Sequence, residues 1–134
     1  MNDLAAAPMS SYAALLFTLL TSFVGVFQIA LMLGAPWGEL TLGGRWRGSL
    51  PSAVRLIPLL SLLLLGGFGA LILARAGLAF PALFGASRQL VWLVVAYCML
   101  GAVVNFITPS RAERRLWFPV VLCMAILSLL VALA

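Results

Sequence analysis

The sequence predicts an all-α membrane protein, with four transmembrane helices in an antiparallel bundle forming a single domain over residues 1–134. Composition is the first reason: 65% of the residues are hydrophobic and 8% are charged, which is outside the usage of water-soluble chains. The second is length. Four apolar stretches, 12–33, 56–74, 90–107 and 116–134, each approach the roughly 20 helical residues needed to cross a bilayer core. The third is that charge is confined to the connections. All eight basic residues are arginine, and Arg45, Arg47, Arg55, Arg111, Arg114 and Arg115 fall in the first and third loops.

That asymmetry orients the chain. Arginine in short loops stays on the cytoplasmic side, so loops one and three are expected in the cytoplasm and both termini outside, in a bacterial inner membrane. Arginines beside spans also contact lipid headgroups, and membrane lipid rather than nucleic acid is the expected partner. The start Met1-Asn2-Asp3-Leu4 lacks the basic segment of a secretory signal, so the first span is expected to be retained.

Residues 1–10 read as a short tail in which Asp3 and Pro8 delay the helix. In the first span, Thr21, Gly25, Gln28 and Met32 share one face. Small and polar residues on one stripe suit packing against another helix, since lipid offers no hydrogen bonds. In loop one, Leu40-Thr41-Leu42, Gly43-Gly44 and Arg45-Trp46-Arg47 have the form of a tight β-hairpin lying on the headgroups. Ser52 is placed to cap the second span. Pro58 should kink that span and free the carbonyl of Val54, and Gly66, Gly67 and Gly69 should admit a neighbouring helix.

The segment from Ala76 to Ser87 is apolar but too short to cross, which predicts an interfacial or shallow re-entrant piece flanked by Arg75 and Arg88. Tyr12 and Trp92 would mark the outer aromatic belt, and Trp37 and Trp117 the inner one. Thr108-Pro109 ends the third span. Ser110 and Glu113 have capping-box spacing, with the carboxylate reaching back to the serine amide, and Pro119 should kink the fourth span. The run Pro51-Ser52 to Pro58 echoes Pro109-Ser110 to Pro119, which raises a duplication of two helical hairpins. Cys98 and Cys123 lie within spans without a Cys-x-x-Cys pair and read as buried packing residues.

Polar side chains can converge in one place, where Gln28 and Asn105 approach the cytoplasmic end beneath Glu39, Arg45, Arg47, Arg111, Glu113 and Arg114. Amides with arginines make a cradle for an anion or lipid headgroup. In the competing reading, Gln28 and Asn105 bond each other or backbone carbonyls as interhelical glue. With no histidine, no lysine and no carboxylate inside a span, catalysis lacks its usual groups, and no metal site or cofactor is expected.

Gly34-Ala35-Pro36-Trp37-Gly38-Glu39 with Gly43-Gly44, together with the run from Asn105 to Arg114, resembles an uncharacterised family of small bacterial four-span integral membrane proteins. The resemblance implies the four-span fold over most of the chain and no particular activity. Small multidrug transporters match in size but carry a first-span glutamate that has no counterpart here. The glycine-rich arginine signature of small fluoride channels and the Cys-x-x-Cys of vitamin K epoxide reductases are also lacking. The expected function is a non-enzymatic membrane component whose basic loops contact anionic lipid or a membrane partner, with self-association through glycine faces. The alternatives are a small transporter or channel with a polar site near Gln28 and Asn105, and a lipid-modifying membrane enzyme.

Overall fold

Residues 8–134 are described in a computed structural model, and four helices account for most of them. They are α1 (Met9–Met32), α2 (Leu56–Arg75), α3 (Phe84–Ile107) and α4 (Arg111–Leu133). All four are long and apolar enough to cross a membrane, and no strand occurs among the described residues. The reading of Asp3 lies outside them. Pro8, extended at φ −67° and ψ 154°, directly precedes α1, as suits a residue without an amide hydrogen. Two hydroxyls within α1 are satisfied locally, Thr18 donating to the carbonyl of Ala14 and Ser22 to that of Thr18, whereas the Thr21 hydroxyl is buried without a partner among the described residues.

Each helix packs on two main neighbours, α1 on α2 and α4, and α3 on α2 and α4. The inward faces form two separate apolar clusters. One joins Ala13 and Phe17 at the start of α1 to Ile72 near the end of α2, Val91 and Val94 early in α3, and Val131 late in α4. The other, at the opposite end, holds Phe27, Leu31, Leu50 and Trp117. Thr21 and Gly25 lie against α2, where a Cβ on Gly25 would meet Leu62 at 3.4 Å and one on Gly69 would meet Thr21 at 3.9 Å. Gly66 and Gly67 face open space instead. The tightest glycine contact between helices is at Gly101, whose absent Cβ would sit 3.2 Å from Val121.

Several local expectations are corrected. Loop one is not a hairpin but two short 3-10 turns, Gly38–Leu40 and Leu42–Gly44, with Leu42, Gly43 and Gly44 all at positive φ. Two glycines after a leucine suit that left-handed path, and the loop closes through Gly38 N–H donating to the carbonyl of Gly48 at 2.8 Å. Ser52 does not cap α2, which starts after Arg55 with no side-chain cap. The Val54 carbonyl is not free, since it accepts from the amide of Ile57 at 3.0 Å. Ser110 does cap α4, so the two segments in the sequence echo are built differently.

The apolar piece before α3 is mostly helix. A turn with Gly77 and Phe80 at positive φ leads through a 3-10 turn, Pro81–Leu83, into α3 at Phe84, so Ser87 and Arg88 belong to its first turns. The spans accordingly begin earlier than the apolar runs of α1, α3 and α4 suggest. Trp117 is 6% exposed and belongs to the core rather than to a surface belt, and Cys123 is exposed while Cys98 is buried.

A Cβ on Gly38 would lie 2.1 Å from the carbonyl oxygen of Trp46 and 2.6 Å from that of Gly48. Gly38→Ala is therefore expected to destabilise the detergent-solubilised protein by about 3 kcal/mol, the upper part of the usual range. Gly66→Ala, in open helix, is expected to be neutral or stabilising by up to about 1 kcal/mol. Thermal unfolding of the two variants measures both.

Candidate functional site

The turn between α3 and α4 is built around one carboxylate. Ser110 caps α4 by accepting from the amide of Glu113 at 3.2 Å. In a closed capping box the Glu113 side chain would return to the serine amide. Here the Thr108 hydroxyl stands between them, accepting from Ser110 N–H at 3.3 Å and donating to Glu113 Oε2 at 2.9 Å. Thr108 also accepts at its carbonyl from Arg114 at 2.7 Å.

The same Oε2 accepts from the amide of Gly43, seventy residues away, at 2.9 Å. Two further bonds fasten loop one to this turn. Ser110 Oγ donates to the carbonyl of Glu39 at 2.7 Å, and Trp117 Nε1 donates to the carbonyl of Leu40 at 2.8 Å. Close contact reinforces them, since a Cβ on Gly44 would lie 3.0 Å from the Cβ of Ser110. Phe27 completes the support, with its ring 4.6 Å from that of Trp117 and stacked 6.2 Å from that of Trp37.

Beneath the fastened loop lies a cavity of about 630 Å³, bounded by all four helices and by residues 40–43. That volume is in the range of small-molecule sites. Its wall is largely apolar and aromatic, including Phe27, Phe68, Tyr97 and Trp117. Gln28, Asn105 and Glu113 all reach it, with Ser61 and Thr108. Asn105 Nδ2 donates to the Gly101 carbonyl of its own helix at 2.7 Å. Its bond is thus within α3, and Gln28 makes no side-chain hydrogen bond among the described residues.

The other expected site residues lie outside the chamber wall. Glu39 is exposed and contributes its backbone carbonyl. Arg45 is exposed with its guanidinium 4.9 Å from the Trp46 ring centre, and Arg47 and Arg111 are exposed. Arg114 is half-buried, bonded through one terminal nitrogen to Thr108, with its Nε buried and unpartnered. No guanidinium reaches the wall, so an arginine cradle for an anion does not form inside the chamber. Among the described residues there is no group of three acidic, cysteine or histidine side chains that could hold a metal. Thr108, Ser61 and the Gly43 amide were not foreseen as site groups. Their one sequence signal is the Gly43-Gly44 pair, which marked a special backbone path without naming its partner.

Comparison with protein-family models, with curated proteins and with solved structures gives no match.

Glu113→Ala leaves the Gly43 amide without its acceptor and is expected to destabilise the protein by about 1–3 kcal/mol. Trp117→Phe strands the Leu40 carbonyl at a similar cost, and the two effects should be non-additive because they hold one loop. Hydrogen exchange at residues 39–44, rising in both variants while the helix interiors stay protected, is the measurement that isolates loop release from unfolding.

Proposed function

We propose that the protein is a multi-pass bacterial inner-membrane protein that binds a small amphiphile within its four-helix bundle, as a small transporter does. The supporting observation is the chamber itself, a cavity of about 630 Å³ that gathers Gln28 and Asn105 beneath a fastened loop. An antiparallel arrangement fits the apolar cluster that joins the start of α1 to the ends of α2 and α4. With loops one and three cytoplasmic, the chamber opens toward the cytoplasmic half of the bilayer, and loop one forms its cytoplasmic roof. An apolar wall with a few polar groups at one end favours a molecule with a hydrocarbon body and a hydrogen-bonding head.

A second reading, contact with anionic lipid, is favoured by the exposure of Arg45, Arg47, Arg111 and Arg115 on loops one and three. The two readings concern different surfaces and are compatible.

The test is thermal unfolding in an uncharged detergent with a panel of amphiphiles of differing head charge. A ligand of the chamber at one hundred times its dissociation constant should add about 2.7 kcal/mol. Ser61→Phe, which places a ring in the chamber, should remain folded and lose the response. A panel with no effect, or a Ser61→Phe variant that responds like the parent, would overturn the proposal. For the second reading, replacing the four exposed arginines with glutamine should reduce co-purified anionic lipid without changing the response to chamber ligands.

A further inference from the structure

We infer that the ligand class of this chamber is a lipophilic cation, an ammonium-type head on an apolar body, bound with its head against Glu113. The inference rests on the binding-chamber reading and narrows it. Glu113 is the one formally charged side chain of the wall. It is 7% exposed, and a buried carboxylate without a counter-charge is costly to hold. Its neutral partners, the Gly43 amide and the Thr108 hydroxyl, both bond Oε2. Oε1 accepts no hydrogen bond among the described residues and is not sealed from open space. One carboxylate oxygen therefore fastens the loop, and the other is left without a donor on a residue that borders the chamber.

The surroundings select the same charge. Asn105 gives one of its two amide hydrogens to the Gly101 carbonyl and keeps Oδ1 as a free acceptor. Gln28, whose amide oxygen and nitrogen are both without a partner among the described residues, also borders the space and can turn its oxygen to an ammonium head. The rings of Phe27, Phe68, Tyr97 and Trp117 border the same space, and aromatic faces attract cations once water is excluded. The nearest arginine in sequence, Arg114, turns to the Thr108 carbonyl and stays out of the wall. An anionic head entering here would meet a carboxylate and no guanidinium.

Three probes with one tail test the charge: octylammonium, 1-octanol and octyl sulfate, titrated against the unfolding midpoint of the intact protein in an uncharged detergent. Octylammonium is expected to stabilise at a tenfold or greater lower concentration than octanol, and octyl sulfate to give no stabilisation. Glu113→Gln should abolish the advantage of the ammonium over octanol. The comparison of the three probes on the unmodified protein decides the matter even where Glu113→Gln fails to fold. Equal responses to ammonium and alcohol, or a stronger one to sulfate, overturn the cation assignment and leave the chamber intact. Silence from all three overturns both.

Discussion

A buried carboxylate at the mouth of the bundle ties together two segments that are far apart in sequence, the turn before α4 and loop one. Glu113 joins the Thr108 turn to Gly43 in loop one while its own amide is held by the helix cap at Ser110. Burial makes these bonds matter, because a carboxylate removed from water has few alternatives to the donors built around it. The position of loop one follows from this knot together with the bonds from Ser110 and Trp117. So does the roof of the chamber, since residues 40–43 close it.

The helices below explain why there is anything to roof. In lipid, helix association draws on close packing and polar contacts rather than on escape from water, so contact is concentrated where small residues or aromatic pairs allow it. Gly101 brings α3 onto α4, and Gly25 and Gly69 bring α1 onto α2. The link between α2 and α3 relies more on large side chains, as in the Phe68–Tyr97 pair with ring centres 4.9 Å apart. Two apolar clusters close the bundle near its ends. The space between them, toward loop one, is left to the cavity.

Much of this was legible from residue order, and the rest failed for definite physical reasons. Four helices follow from apolar length, and Gln28, Asn105 and Glu113, which helical position puts at similar depth, border one cavity. The capping-box spacing of Ser110 and Glu113 was read as a purely local device. Its serine half is local, but the carboxylate half is diverted through Thr108 to Gly43, and no local pattern announces a partner seventy residues away. Gly43-Gly44 was read as a hairpin turn because glycine pairs accept positive φ in either setting. Without a strand partner the same torsions make a left-handed turn pressed on Ser110. Arginines were grouped with the amides by their place in the chain, yet long charged side chains extend toward water, and the loop that carries Arg45 and Arg47 faces them outward.

The fastening of loop one uses backbone atoms on the loop side: the carbonyls of Glu39 and Leu40 and the amide of Gly43. In these three bonds the side chains belong to the other partner. A loop held in this way keeps its seat whatever outward side chains it displays, provided Trp37 and Leu50 stay packed inward and its glycines preserve the path. Its outward surface can therefore be rewritten residue by residue, for another lipid composition or another neighbour in the membrane, while the chamber beneath is left as it was. Closure and display are separable in this protein, and they can diverge at different rates.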